Sequence, residues 1–316
     1  MTCSVRFEHP LSRLIGVVGI AFATIVSLPA GARAQIPPSV VPFIDLKCYG
    51  ITNSDGNPLP PLNLPLHLDQ LNPLLRQIGF PAEDVTLLTP VQLCVPVAKN
   101  GMTPPDDALR FIQYIDLKCY NTIRRTPGTV TPALQLKHLN PALQDLPVEQ
   151  VIIQAPEKLC VPVAKSNPDG SPAFPPADVL PSIRFIDQKC YPIVGPDGGP
   201  LPPVSVPLHL DHLNPVLTPD VAPSEDVIMQ DPRQLCVPVA KNGMFPPTPD
   251  RPVIEQIDLK CYGIAGDPLR LSQRLFHLNP AFPATLPPEN VLIQEPQQLC
   301  VPVQKQLSPP PVNHSR

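Results

Sequence analysis

The phrase FIDLKCYG, residues 43–50, returns three times along the chain, as YIDLKCYN (114–121), FIDQKCYP (185–192) and QIDLKCYG (256–263). Its cysteines, Cys48, Cys119, Cys190 and Cys261, follow one another at intervals of 71 residues. A fixed period of this kind marks repeated structural units. Each phrase is answered downstream by a second one: QLCVPVAK ending at Lys99, KLCVPVAK at Lys165, QLCVPVAK at Lys241 and QLCVPVQK at Lys305. Between the two lies Leu-Asn-Pro, with its asparagine at Asn72, Asn140, Asn214 and Asn279. Repeats 1 and 3 share a longer first loop (Pro58 to Pro61 and Pro200 to Pro203), the pattern left by duplication of a two-repeat unit.

Inside the phrase, Ile44, Leu46 and Cys48 alternate with Asp45, Lys47 and Tyr49, the period of a strand with one buried face. Leu64, Leu66 and Leu68 alternate likewise, and Val85, Leu87, Leu93, Val95 and Val97 extend the pattern. The proline of each LCVPV (Pro96, Pro162, Pro238, Pro302) has no N–H for a ladder, which places that strand at an edge or ends it there. No ten-residue segment carries a helical stripe, and Asn72 to Ile78 allows one short turn. The expected fold is all-β: four tandem small antiparallel β-domains, each with one disulfide, joined by Pro-rich linkers. The boundaries fall at 35–100, 114–165, 185–241 and 256–305, with linkers at 101–113, 166–184 and 242–255 and a disordered tail at 306–316. Pro-rich linkers are extended and semi-rigid, so the expectation is an elongated string of domains.

Residues 1–34 read as a secretory signal peptide. Arg6 and Arg13 open it, Leu14 to Leu28 carries no charge, and Ala32-Arg33-Ala34 supplies the small residues that signal peptidase reads, with cleavage before Gln35. The apolar run is shorter than the roughly 20 residues of a membrane span and no later run is longer, so the mature chain is expected to have no span. A Sec-type signal implies export to the periplasm, the cell surface or the medium. Cys3 leaves with the signal, and the nine cysteines become eight, an even number where disulfides persist. Pairing within repeats gives Cys48–Cys94, Cys119–Cys160, Cys190–Cys236 and Cys261–Cys300. The alternative, pairing neighbours across linkers, strands Cys48 and Cys300 at the two ends. A bridge closing such a loop is worth roughly 4 kcal/mol in the chain-entropy model, which decides whether a small core folds.

Composition narrows the partners. Of 316 residues 51 are proline and only 16% are charged, and loss of the signal, with three arginines and one glutamate, takes the formal charge from −4 to −6. Scattered Lys and Arg on a negative chain disfavour nucleic acid.

The positions that recur in all four copies are the candidates for a polar ligand patch: Asp45, Lys47 and Tyr49; Asp116, Lys118 and Tyr120; Asp187, Lys189 and Tyr191; Asp258, Lys260 and Tyr262. The plainer reading pairs Asp with Lys across strands and lets each Asn set a turn before Pro. A catalytic pair of Asp45 and Glu83 needs an interior able to raise one pKa, which a domain of this size lacks. His138, His212 and His277 precede the Asn by two residues, but repeat 1 has Gln70 there, and two cysteines plus one histidine leave zinc a ligand short. No cofactor or metal is expected. No Ser or Thr recurs in all four copies and no GxSxG or HExxH occurs, so no enzyme is expected.

The pairing of KCY with LCVPV-x-K, about 45 residues apart and in tandem, resembles an uncharacterised family of cysteine-paired β-domains in secreted bacterial proteins. Leu68-Asp69-Gln70-Leu71 is similar to that family's middle strand. The resemblance implies export and a β-rich, disulfide-stapled domain, and transfers no activity. The expectation for function is an exported, monomeric, non-enzymatic repeat protein that binds or scaffolds an extracellular protein or glycan through multivalency. The alternative is a multi-headed protease inhibitor presenting Pro58 to Pro65 and Asp197 to Pro207.

Overall fold

The KCY phrase forms the first strand of every repeat: β1 (Leu46–Thr52), β4 (Asp116–Arg124), β8 (Gln188–Val194) and β12 (Leu259–Gly263). The alternating leucines form the second: β2 (Leu64–Gln70), β5 (Ala133–His138), β9 (Val206–His212) and β13 (Leu271–His277). The LCVPV phrase ends the third, which is one long strand in repeats 1 and 4, β3 (Glu83–Lys99) and β14 (Glu289–Leu307), and two in the others, β6 (Glu149–Ile153) with β7 (Lys158–Lys165) and β10 (Glu225–Met229) with β11 (Pro232–Lys241). The computed structural model describes residues 1–2, 34–125, 132–283 and 286–308. The chain divides into two compact units, residues 1–32 and 33–316, and all these elements lie in the second. Residues 3–33 of the segment expected to be a signal peptide and residues 309–316 of the expected tail lie outside the described residues, whereas Gln306 and Leu307 pair with Gln135 and Leu134 at the end of β14.

The four repeats do not form separate domains, because their strands join one sheet that closes on itself. Within each repeat the KCY strand pairs with the LCVPV strand. Between repeats, β3 pairs β4, β7 pairs β8, β11 pairs β12, and β14 returns to β1, all antiparallel. The result is an eight-stranded barrel without edges in its ring. Across each junction the register slips by two residues, setting Cys94 opposite Leu117, Cys160 opposite Gln188, Cys236 opposite Leu259 and Cys300 opposite Leu46, so a full circuit accumulates eight. Eight strands with a shear of eight enclose an interior that side chains fill.

The middle layer of those side chains is formed by the cysteines. The bridges are Cys48–Cys94, Cys119–Cys160, Cys190–Cys236 and Cys261–Cys300, each between direct ladder partners. Sulfurs of successive bridges also touch, at 3.7 Å for Cys94 and Cys119, 3.9 Å for Cys160 and Cys190, 3.7 Å for Cys236 and Cys261, and 3.8 Å for Cys300 and Cys48. Disulfide sulfurs carry no proton, so these are van der Waals contacts. Together they make a closed belt of eight sulfurs inside the barrel. Cys48 and Cys300, apart in sequence, are neighbours in this ring.

The segments read as linkers are not spacers. Each carries a short helix, α2 (Asp106–Ile112), α3 (Leu180–Ile183) and α4 (Arg251–Ile254), and Pro38–Phe43 forms a matching 3-10 turn before repeat 1; α1 (Pro73–Gln77) lies within repeat 1. Val41, Ile112, Ile183 and Ile254, again 71 residues apart, pack with Leu46, Leu117, Leu259 and the cysteines in one buried cluster. The four segments plug one end of the barrel and hold one another: Ser39 donates to Asp107, Arg110 pairs with Asp178, and Ser182 Oγ and Ile36 N donate to Asp250 at 2.7 and 3.2 Å. Proline stands at the start of these helices, Pro105 before α2 and Pro181 and Pro252 in the first turns of α3 and α4, and the segments are not extended, since each also carries apolar residues that the barrel end buries.

The second strands cover the outside. Each bonds to the start of its own third strand and to the end of the third strand two repeats away, as β2 does with β3 and β11, and β9 with β10 and β3. Each of the four apolar clusters beneath this cover draws on all four repeats; one joins Leu66 and Val85 of repeat 1, Tyr120 and Leu159 of repeat 2, Val239 of repeat 3 and Phe282 of repeat 4. No repeat owns a core. The Asp/Lys/Tyr face of each KCY strand, which alternation assigns to solvent, is therefore buried, for Asp45, Lys47 and Tyr49 at 2% exposure or less.

Candidate functional site

A buried charge needs a partner. Every recurring polar residue has one, most often in another repeat. Asp45, Asp116, Asp187 and Asp258 form ion pairs with the closing Lys99, Lys165, Lys241 and Lys305. Each also accepts from an asparagine of the next repeat round the ring: Asn140 to Asp45 at 2.6 Å, Asn214 to Asp116 at 2.7 Å, Asn279 to Asp187 at 2.7 Å and Asn72 to Asp258 at 2.9 Å. The same asparagines do set the turn after Leu-Asn-Pro, as Asn72 does by accepting from Leu74 and Leu75 N–H. Burial raises the pKa of Asp45 and lowers that of Lys99, with the pair's attraction opposing both.

The Lys and Tyr reach two repeats away. Lys47, Lys118 and Lys260 pair with Glu225, Glu289 and Glu149. Tyr49, Tyr120 and Tyr262 meet His212, His277 and His138 at 2.9, 3.1 and 2.8 Å, and Gln70 donates to Tyr191 at 3.0 Å. Gln70 thus fills the place of histidine in repeat 1, and the three histidines sit beside tyrosine hydroxyls. Repeat 3 departs from the rule: Glu83 lies 3.8 Å from Arg124, and Lys189 donates instead to Thr122 at 2.6 Å. Burial pushes the Lys189 amine down to about 7. Asp45 and Glu83 keep different partners. Among the described residues, no group of three His, Cys, Asp or Glu is placed to hold a metal.

Breaking such a pair leaves a buried charge without compensation, which costs about 3–5 kcal/mol. Asp187→Ala, which strands Lys241 and frees Asn279, should lower unfolding free energy by about that much in a denaturant titration. A change under about 1 kcal/mol, the value of an exposed pair, would show the site to be wet.

What the internal pairing leaves free is the barrel end opposite the plug. There the inward positions two residues before the LCVPV cysteines carry Gln92, Lys158, Gln234 and Gln298, one layer above the sulfur belt. Above them the junctions bulge, with Val91, Arg233 and Gln297 as the extra residues and Glu157 at the matching place before β7. Bulges re-aim side chains, and the opposing KCY strands leave room: a Cβ on Gly50 would meet Gln297 at 2.7 Å, and one on Gly263 would meet Arg233 at 2.5 Å. Two cavities of about 690 and 400 Å³ share Lys158 at this mouth, within the range of ligand sites. Gln234 donates to Glu157 at 3.2 Å, Gln92 donates to Gln297 at 2.7 Å, and Arg233 is held by Asp231 at 2.9 Å. Lys158 forms no ion pair within 4 Å among the described residues; burial lowers its pKa, Glu157 opposes this and Arg233 adds to it.

The four copies agree where the fold needs them and differ at this mouth, where the bulge places offer an apolar, an acidic, a basic and an amide side chain. The signal was present as Pro-x-Gln/Lys-Leu-Cys at residues 90–94, 156–160, 232–236 and 296–300, whose second position varies. A further cavity of about 360 Å³ lies over Asn72, Asp258 and Lys305, whose polar groups are already paired. No family model, no curated protein and no solved structure matches the chain. Its class rests on its own geometry: a closed, four-fold repeated β-barrel with a disulfide belt and one polar mouth. Four disulfides fit an oxidising compartment, and among the described residues no helix is long and apolar enough to cross a membrane.

Proposed function

We propose that the chain is an exported, monomeric, non-enzymatic binding protein whose ligand enters the open mouth of the barrel. The observation that supports this is Lys158, an amine without an ion pair among the described residues, at the junction of two cavities and ringed by amides. Amide side chains both donate and accept, matching peptide groups, and among the described residues no aromatic ring lines the two cavities. The ligand class is therefore an extended segment of an extracellular protein, with a carboxylate on Lys158. The site is single, because the four repeats build one mouth; the polar residues available for a multivalent array are consumed by internal pairing. The resemblance to secreted cysteine-paired domains and the four bridges support export. Closure of the barrel ring, which leaves no ring strand to pair with a second copy, supports a monomer.

The inhibitor reading draws on the same region, since Pro58 and Pro200 rim the two cavities. Leu59 and Leu201 beside them are buried, so these loops are held by their apolar side chains and do not offer them to a protease.

The test is fluorescence anisotropy with labelled short peptides carrying an acidic residue, against the same peptides with that residue as an amide. Binding should weaken by about 10- to 100-fold in the Lys158→Met protein, as loss of a charge-assisted hydrogen bond requires. Equal binding by the two proteins, or indifference to the acid, would move the ligand elsewhere.

A further inference from the structure

We propose that the sulfur belt is a ring for internal thiol–disulfide exchange, in which a single free thiol passes from bridge to bridge and the four disulfides act as one redox unit. Exchange requires a thiolate to reach a disulfide sulfur. Here every bridged sulfur lies 3.7–3.9 Å from a sulfur of the next bridge. A bond at roughly 2.05 Å asks for about 1.7–1.9 Å of approach, and because the register makes Cys94 and Cys119 diagonal neighbours, a cysteine rotamer shift must be joined by a small backbone adjustment. The ring also has two complete ways to pair: the one observed, and one that joins Cys94 to Cys119, Cys160 to Cys190, Cys236 to Cys261 and Cys300 to Cys48. In a linear string the second set strands two cysteines, and ring closure supplies them with each other.

Each step balances without an external electron. A Cys94 thiolate attacks Sγ of Cys119; the Cys94–Cys119 bond forms, the Cys119–Cys160 bond breaks, and Cys160 leaves as the thiolate that attacks Cys190. Repeated steps carry the thiolate to Cys236 and then Cys300. Because every attack releases the far partner, a thiol that starts on an LCVPV cysteine stays on LCVPV cysteines, and one that starts on a KCY cysteine stays on KCY cysteines. Burial raises a thiol's pKa and leaves little thiolate at neutral pH, so the exchange quickens with alkali.

Two single replacements create the starting thiol without any reductant. In Cys48→Ser the free thiol begins at Cys94; after incubation of the folded protein at mildly alkaline pH, acid quench, alkylation and peptide mapping, label should be found at Cys94, Cys160, Cys236 and Cys300. In Cys94→Ser it begins at Cys48 and should spread to Cys261, Cys190 and Cys119. Label confined to Cys94 in the first and to Cys48 in the second overturns the proposal, and so does label on both classes of cysteine in one protein, which reports scrambling through unfolded chains. Should these variants not fold, the natural chain with less than one equivalent of a water-soluble phosphine provides the same test. Chains bearing one alkylated pair should contain Cys94–Cys119 or another inter-repeat bridge, and retention of the three remaining original bridges alone defeats the idea.

Discussion

A chain ending at residue 255, without repeat 4, should show no cooperative unfolding transition and should leave its cysteines largely accessible to alkylation. Were the repeats independent, the first three would survive the cut unchanged. In the closed barrel the loss is not local. β1 loses its neighbour β14, β11 loses β12, and β7 loses the cover of β13. Asp187 loses Asn279, Lys118 loses Glu289, and Tyr120 loses His277. Each of the four outer clusters loses apolar residues, among them Val291 and Ile293 from one and Leu299 and Val301 from another. A buried cation without its partner alone costs about 3–5 kcal/mol, a large part of the 5–15 kcal/mol that holds a typical domain. Far-UV circular dichroism through a thermal ramp and a thiol count would check this. A sharp transition with Cys48–Cys94, Cys119–Cys160 and Cys190–Cys236 intact would refute the interlocked barrel.

The second large effect is acid lability. Burial, with Lys260, Lys118 and Lys47 respectively close by, holds His138 and His277 down to about 3 and His212 to about 4. All three therefore have a folded pKa below the ordinary value near 6.5, so the unfolded chain takes up protons first as the pH falls. Their contribution is present above pH 6.5 and is lost on the way down to about 4. At no more than about 1.4 kcal/mol per pH unit for each, three such groups give a slope approaching about 4 kcal/mol per unit in the middle of that window, offset in part by Asp45, Asp116, Asp187 and Asp258, whose pKa burial raises. His67 and His209, exposed and raised by Asp84 and Asp226, act with the opposite sign. Repeat 1 supplies the control, since Gln70 makes the same bond to Tyr191 without titrating. The triple variant His138→Gln, His212→Gln, His277→Gln should therefore flatten the stability profile between pH 6.5 and 4. A slope as steep as that of the natural protein would remove the histidines from the account.

The strands, the turns at Leu-Asn-Pro and the pairing of Cys48 with Cys94 were legible because they are local: alternation and a short closed loop express them within one repeat. The barrel was not. The LCVPV strand of repeat 1 sets Leu93 opposite Tyr49 of its own KCY phrase on one side and opposite Lys118 of the next KCY phrase on the other, so the same two phrases serve both ladders, and a period of 71 residues does not distinguish repeats in a row from repeats in a ring. Lys47 finds Glu225 at a distance of 178 residues, which no spacing rule anticipates. Alternation placed Asp45, Lys47 and Tyr49 on a solvent face because a strand with polar residues on alternate positions ordinarily has one. Here a second layer, donated by other repeats, covers it. The candidate mouth was not legible for a related reason: the positions that recur are those the fold requires, and the mouth is built on the variable place beside them.

The ring of junctions has a parallel in quaternary structure. Cyclic oligomers place identical subunits around an axis, and each subunit then offers the axis the same side chain. This protein arranges four quarters in that way within one covalent chain, with the break between its ends falling between β14 and the 3-10 turn at Pro38–Phe43. Fusion removes the constraint of identity. Val91, Glu157, Arg233 and Gln297 occupy one position four times over with four different chemistries, an asymmetric rim that a ring of four identical subunits cannot build.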